Sequence, residues 1–319
     1  MAASKNGPQP LTGKHVVLTG GTNGLGVGLL HETVRLGAAK VSLLCRSMDL
    51  GRRCKEEVRS LGPAEVVLVH VDLSSMVAVQ KAAKEIEGGV DVLFLNAGLV
   101  SGAEATITPE GLETTFAVNV AAVHLLARLL VPKLSKGARI IVTGSDAGDL
   151  VKPTPWKVDP TPEAMQGLLP GVGGMGSYGF GQYSRTKVLA HQQAGALSDL
   201  LAVASADVHV CAWHPGALSS QLGNNAAPLL AACLKGVMGL VLRSPKGACM
   251  IGMHAATAAE PYDRAYLSDG NMGTPNVKVY GTPKELRGAE DAEVCRRSWS
   301  AVEALVCKAL GVKSLPPVA

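Results

Sequence analysis

A parallel, doubly wound α/β sheet held between two layers of helices, a three-layer αβα sandwich, is the fold class this sequence predicts, and three observations predict it. Short apolar runs rich in β-branched residues alternate with helix-length segments over the first two thirds of the chain. Most of those runs are apolar throughout instead of alternating, as strands covered on both faces are. Aromatic residues are only 3% of the 319 residues while glycine numbers 37, which suits helices packed closely on a buried sheet better than an aromatic-rich β-sandwich.

In chain order the strands are expected at His15–Thr19, Lys40–Cys45, Val66–Val71, Val90–Asn96, Ala138–Thr143 and Val208–Trp213. Between them, Leu25–Leu36, Met48–Leu61, Ser75–Ile86, Pro109–Leu134 and Tyr183–Leu201 are long enough for crossover helices, which carry the chain back for the next parallel strand with a right-handed sense. Thr108 before Pro109 reads as an N-cap with proline at the first helical position. Two segments break the rhythm. Asp146–Gln182 is rich in Pro and Gly and too long for an ordinary connection, so it reads as a lid. Asn224–Leu242 is apolar and helical; its run Pro228–Leu242, interrupted by Lys235, is short for a bilayer span and reads as a buried helix, the wall of an apolar pocket, or a weak membrane-surface contact. With no repeat and no linker, one domain is expected over 1–319: a core at 12–220, the insertion at 146–182, substrate-lobe helices at 221–260, and a C-terminal helix and tail at 285–319.

Composition excludes several classes of function. Apolar residues at 47% and charged residues at 18% exclude a mostly disordered chain. The net charge of +4 comes from scattered basic residues, and the cluster Arg52-Arg53-Cys54-Lys55 is followed directly by two glutamates, so it reads as a solvated helix face and no nucleic-acid partner is expected. Seven cysteines, an odd count with no CxxC pair, read as reduced core thiols of an intracellular, cytoplasmic protein. Eight histidines without HExxH or HxH spacing suggest no metal. Met1 to Pro10 carry no apolar signal-peptide core, and no transmembrane segment is expected.

The first strand runs into Gly20-Gly21-Thr22-Asn23-Gly24-Leu25-Gly26 and a helix follows. Glycines let the backbone approach a diphosphate, and the helix N-terminus supplies N–H groups and positive dipole to it. The chain carries its own control: Gly171-Val172-Gly173-Gly174-Met175-Gly176 also satisfies G-x-G-x-x-G, yet no strand precedes it. Position in a strand–turn–helix unit makes the first one credible. The second strand ends in Arg46-Ser47 with no carboxylate until Asp49. A carboxylate there would accept from a ribose 2′-hydroxyl, whereas a guanidinium suits a 2′-phosphate, so NADP(H) is favoured over NAD(H).

Tyr183 and Lys187, four apart, share a helical face about 6 Å apart along the axis. A phenol of ordinary pKa about 10 is a poor acid–base group at neutral pH, and a neighbouring ammonium is expected to draw it down. A second pair at this spacing, Tyr280 and Lys284, has Gly281 and Pro283 between its members and should not share a helix.

Taken in order, Thr19-Gly20, Gly24-Leu25-Gly26, Asp72-Leu73, Asn96-Ala97-Gly98, Asn119, Ser145, Tyr183/Lys187 and Pro215-Gly216 resemble the short-chain dehydrogenase/reductase family over about residues 12–220. More loosely, Leu242–Ala248 and a terminal helix at Ala289–Leu310 resemble its retinol-dehydrogenase-like branch, beside carbonyl reductases. The resemblance implies a Rossmann-type sheet and hydride transfer at nicotinamide. Tyr183 would be the general acid/base, Lys187 would tune it and hold the nicotinamide ribose, Ser145 would hydrogen-bond the substrate oxygen, and Asn119 would bind a water in the proton path. Thr22, Asn23, Ser47 and the glycines would hold the nucleotide phosphates, Asp72 and Leu73 would face adenine, Asn96-Ala97-Gly98 would support the sheet beneath it, and Pro215, Gly216 and Ser220 would contact the nicotinamide end. The substrate would be a small apolar carbonyl or alcohol such as a retinoid, steroid, lipid aldehyde or xenobiotic ketone. Reduction of a C=C bond, or a non-catalytic NADP-sensing scaffold, would use the same fold. Relatives pair through the two long helices, implying a homodimer or homotetramer. In two respects the chain departs from the family: Thr143-Gly144 stands where Ser-Ser is more frequent, and 38 positions separate Ser145 from Tyr183 where many members use little more than a dozen.

Overall fold

The structure is a computed structural model that describes residues 9–151, 157–159, 161–168, 178–216, 244–268 and 284–318. It opens with β1 (His15–Thr19), α1 (Gly24–Arg35), β2 (Lys40–Cys45), α2 (Met48–Val58), β3 (Glu65–His70), α3 (Met76–Glu85) and β4 (Val90–Leu95). A longer helical stretch follows, from α4 (Thr114–Phe116) through a π-helical turn (Ala117–Ala121) into α5 (Ala122–Leu130), and leads to β5 (Leu134–Thr143). Then come a 3-10 turn (Asp146–Leu150), α6 (Pro162–Met165), α7 (Tyr178–Val203) and β6 (Val208–Trp213). The described C-terminal elements are α8 (Pro245–Ala248), α9 (Met250–Thr257), β7 (Ala265–Leu267), β8 (Lys284–Glu285) and α10 (Ala292–Leu310).

One sheet runs in the order β3-β2-β1-β4-β5-β6-β7-β8, parallel throughout except for the antiparallel β8 at its edge. The order reverses between β1 and β4, and a doubly wound sheet binds ligands beyond the carboxyl ends of its strands at such a switch point. Two apolar cores lie on its two faces. Leu25, Leu29 and Val34 of α1, Cys54 and Val58 of α2 and Ile251 and Met253 of α9 fill one. Val79 of α3, Leu125 and Leu126 of α5, Val188 and Leu189 of α7 and Val302 and Val306 of α10 fill the other. The predicted three-layer αβα class is therefore the observed one, and β1, β2 and β6 have the expected bounds. The short edge strands β7 and β8 were not expected; three and two residues are too few to carry a periodic signal.

Two helix starts differ from expectation. Pro109 does not open a helix: Ile107 bridges Glu113 in antiparallel fashion across a turn whose Gly111 has φ +81°, and Thr108 N–H donates to the Leu112 carbonyl (2.7 Å). Helix begins at Thr114, where Glu113 caps it. Tyr183 lies inside α7, five residues beyond Tyr178, rather than at its start. Asp146–Gln182 is also not uniformly irregular, since the 3-10 turn, α6 and the start of α7 fall within it. Lys284 sits in β8, so the second Tyr–Lys pair is not helical at its lysine. The glycine run 171–176, Pro228–Leu242, Ser220 and Tyr280 lie outside the described residues.

Among the described residues one stretch, Thr114–Lys133, is long and apolar enough to cross a membrane, and it is 89% buried inside the fold as a core element. Its start depends on Glu113, which is fully buried. The Glu113 carboxylate accepts from Thr115 N–H (3.0 Å), Phe116 N–H (2.8 Å) and Gln182 Nε2 (2.9 Å), while its own N–H donates to Gln166 Oε1 (3.1 Å). One residue thus joins α4, α7 and the end of α6. Glu113→Ala strands two backbone donors and an amide, and is expected to cost on the order of 3 kcal/mol in urea unfolding, whereas Glu113→Gln, which retains an acceptor, should cost less.

Candidate active site

The carboxyl ends of β1, β4, β5 and β6 converge on the switch point, and the turn after β1 is built for close approach. Gly20 has φ +69°, and a Cβ there would sit 2.9 Å from the Ala97 Cα. A Cβ on Gly26 would fall 2.0 Å from the Gly20 carbonyl oxygen, so only glycine lets α1 start so close above the turn. α2, α3 and α4 are capped by the side chains of Ser47, Ser75 and Glu113, but α1 has no side-chain cap and no acidic residue in its first turn. Its positive end is left for an anion, as a nucleotide diphosphate requires. Thr22, Asn23 and Gly24 border this end, while Leu25 points away into the core beneath α1.

Arg46 is exposed at the end of β2. Ser47 is engaged as the α2 cap, its Oγ accepting from Leu50 N–H at 3.3 Å. Burial alone would raise the Asp72 carboxyl, but the Ser74 N–H (2.9 Å) and hydroxyl (2.7 Å), with the Arg46 charge nearby, hold it below the usual range. Arg46 and Asp72 therefore lie near one another just beyond the ends of β2 and β3, and Leu73 packs against the core. These residues fit an adenine nucleotide with additional negative charge on its ribose.

A polar lattice ties the strand ends together. Thr19 Oγ1 accepts from the N–H groups of Asn96 (2.9 Å) and Ala97 (3.0 Å), Asn96 Nδ2 donates to the Thr19 carbonyl (3.0 Å), and Thr143 Oγ1 donates to Asn96 Oδ1 (3.3 Å). Asn119, carried by the π-helical turn, holds the next loop: its Oδ1 accepts from Leu99 N–H (2.9 Å), and its Nδ2 donates to the Leu99 carbonyl (2.9 Å) and Thr186 Oγ1 (3.0 Å). The amide is thus committed to backbone and α7, and its visible work is to fasten the loop after β4 to the helix that carries Tyr183.

Ser145, Tyr183 and Lys187 are brought together at the end of β5. The Ser145 hydroxyl, which caps the 3-10 turn through Ala147 N–H (3.2 Å), faces the Tyr183 hydroxyl closely enough to lower its pKa. Lys187 Nζ donates to the Thr143 carbonyl (2.7 Å) and lies 5.5 Å from the centre of the Tyr183 ring. A Cβ on Gly98 would stand 3.8 Å from that nitrogen, so Asn96-Ala97-Gly98 floors the same space. Burial pushes the Tyr183 phenol up to about 12, with the Ser145 hydroxyl pulling it down, and burial brings Lys187 down to about 8. The expected lowering of the phenol by the ammonium does not dominate: in a dry setting each group is drawn towards its neutral form, and the ammonium's own hydrogen bond goes to a carbonyl.

Pro215 and Gly216 follow β6 on the same edge, and His214 before them donates its N–H to the Leu267 carbonyl (2.8 Å). Sequence reasoning missed His191, one turn beyond Lys187 and fully buried: Nδ1 donates to the Arg287 carbonyl (2.6 Å), Nε2 lies where a Cβ on Gly144 would come within 2.2 Å, and burial lowers its pKa to about 4. Its i+4 spacing from Lys187 was the only signal. Among the described residues no group of three or more metal-ligating side chains is present.

The family model described as short chain dehydrogenase matches residues 14–157. The chain is 34% identical over 138 residues to the short chain dehydrogenase/reductase dmxR8 of Cryptosporiopsis sp., which is 41% of this chain and 42% of that protein. It is 26% identical over 302 residues, 91% of this chain and 85% of the other, to the short-chain dehydrogenase/reductase phmF of Phaeosphaeria nodorum. A solved structure of a Mycobacterium paratuberculosis protein superposes with TM-score 0.69 at 23% identity over 93% of this chain and 94% of that one. Over residues 14–157 the chain is similar to the short-chain dehydrogenases/reductases, and its fold is shared with the solved structure over nearly its whole length. The matched segment contains the glycine turn, Asn119 and Ser145, and Tyr183 and Lys187 lie beyond it.

The buried lysine gives the site a pH signature. In the unfolded chain it titrates near ~10.4, but in the fold it titrates near about 8. Between those values the unfolded state holds more protons, so stability rises with pH there and the cost of burying the charge disappears above both. Lys187→Met is therefore expected to be more stabilising relative to the parent at pH 7 than at pH 10, by on the order of 2 kcal/mol in urea unfolding at the two pH values; equal effects at both would place the lysine in water.

Proposed function

We propose that this protein is an NADP(H)-dependent short-chain dehydrogenase/reductase that transfers hydride between nicotinamide and the carbonyl or alcohol carbon of an apolar small molecule, with Tyr183 as its general acid/base. The observation that carries this reading is the meeting of Ser145, Tyr183 and Lys187 at the end of β5 beside the uncapped N-terminus of α1. When bound, the cofactor would supply the hydride; the chain's part is to hold it and to move the proton. Gly20 to Gly26 and the start of α1 would hold the diphosphate, and Arg46 a 2′-phosphate. Lys187, Pro215 and Gly216 would hold the nicotinamide end. Ser145 would donate to the substrate oxygen as negative charge grows there. Tyr183, a neutral phenol over the working range, would donate its proton to that oxygen in reduction and accept it back in oxidation.

Support for the apolar substrate comes from the composition of Pro228–Leu242 and from the insertion 146–182 as its lid, and α10 falls where the retinol-dehydrogenase-like resemblance places a terminal helix. The six described cysteines are free and buried, as in a reducing compartment. Assembly through α5 and α7 would have to use a face that α10 already occupies: His124 Nδ1 donates to Gln193 Oε1 (2.9 Å), Gln193 Nε2 donates to Ser298 Oγ (3.0 Å), and the His124 and Trp299 rings lie 4.2 Å apart. A homodimer or homotetramer would accordingly form elsewhere.

A panel of aldehydes, ketones and alcohols followed by nicotinamide absorbance tests the reading. Tyr183→Phe should lower kcat at least a thousandfold with NADPH affinity nearly unchanged by fluorescence titration; surviving turnover would remove Tyr183 from the acid–base role. Arg46→Asp should raise the KM for NADPH about tenfold or more and lower that for NADH. Unaltered preference would mean Arg46 does not read the 2′-phosphate.

A further inference from the structure

Asp146 follows Ser145 in the chain and is gripped from the C-terminal part of the molecule. Its Oδ1 accepts from the Tyr266 hydroxyl at 2.6 Å and lies 3.7 Å from Arg287 Nη1, and its Oδ2 lies 3.7 Å from His214 Nε2. Arg287 also reaches Asp149 of the same 3-10 turn through Nη2 (2.5 Å). Tyr266 cannot drift: it is 3% exposed, sits in β7 opposite Ala212 of β6 and Lys284 of β8, and packs against the His191 ring with centroids 4.9 Å apart and planes tilted by 52°. His191 in turn holds the Arg287 carbonyl and abuts Gly144, the residue before Ser145. Gly144 itself donates its N–H to the Trp213 carbonyl of β6 (2.8 Å).

The serine turn is therefore clamped on both sides, by His191 at Gly144 and by Tyr266 and Arg287 at Asp146 and Asp149. A 3-10 turn of five residues has little rigidity of its own. We propose that Tyr266 and Arg287 are positioning residues that act through Asp146 to hold the Ser145 hydroxyl against Tyr183. This rests on the reading of Ser145 and Tyr183 as the reacting pair. It assigns a function in the site to chain beyond residue 260, outside the segment matched by the family model. Tyr266 is suited to the task because burial, with Asp146 beside it, raises its phenol far above the ordinary range, so it stays a donor at every working pH.

The test uses the full chain with 13Cζ-labelled tyrosine and NMR at pH 8. Five tyrosines give few signals, and Tyr183→Phe assigns the one in question. Ser145→Ala sets the displacement produced by loss of the serine hydroxyl. Tyr266→Phe, which removes one hydroxyl, should move the Tyr183 signal at least half as far in the same direction, as should Asp146→Ala, while Asp146→Asn, which keeps an acceptor for Tyr266, should restore most of the parent position. Ser198→Ala, which removes a donor to Asp263 in the same lobe (3.0 Å), controls for loss of stability alone and should leave the signal in place. With a substrate from the panel, Tyr266→Phe should lower kcat at least tenfold with an unchanged KM for NADPH. A Tyr183 signal unmoved by Tyr266→Phe or Asp146→Ala in folded protein overturns the clamp, and so does an equal displacement by Ser198→Ala. If the parent reduces and oxidises nothing with either nucleotide, the oxidoreductase reading fails, and the resonances still decide the clamp.

Discussion

The placement of Lys187 against the Thr143 carbonyl is the constraint on which the rest of the site depends. It fixes the rotation of α7 about its own axis, and that rotation aims Tyr183 at Ser145, His191 at Gly144 and Thr186 at Asn119. An ammonium is costly to bury unless it is hydrogen-bonded, so the helix has one low-energy seating on the sheet and not a family of them. Stability is given up at neutral pH for that seating, a pattern expected where a site rather than a core sets the choice of residue.

Around this contact the fold does what a parallel sheet does well. Strand after strand delivers its carboxyl end to one edge, and the loops leaving that edge carry Gly20, Asn96, Ser145 and Pro215 within reach of one another although they are far apart in sequence. Hydrogen bonds from Thr19 to Asn96 and from Asn96 to Thr143 stitch β1, β4 and β5 at the height where a ligand would lie. The glycine turn before α1 differs in kind, since it is made by what is left out: two missing Cβ atoms and a missing helix cap.

The C-terminal part reaches the site as well as the core. α10 closes the α5–α7 face through a buried polar chain from His124 to Ser298, and β7 with the loop before α10 reaches the serine turn. The family core and its C-terminal additions are thereby coupled at the residue next to Ser145, and changes in either should be felt by the other.

Much of this was legible in the sequence. Unbroken apolar runs marked strands covered on both faces, and the bounds of β1, β2 and β6 followed from where those runs met Gly, Arg or His. The glycine turn and the Tyr183–Lys187 pair could be separated from their duplicates because helix and strand periodicity are local properties, set by backbone geometry within a few residues. The sequence by itself determined the sheet, the elements that bear the site and the residue types that stand in it. Tertiary structure alone decided the start of α4, where a buried carboxylate outweighs a proline signal, the two edge strands too short to have a pattern, and the ionisation of Tyr183 and Lys187. It also decided the partners of Asp146, His191 and Asn119, because desolvation and hydrogen bonding between residues 20 to 141 positions apart depend on how separate elements are packed, and no local pattern encodes that packing.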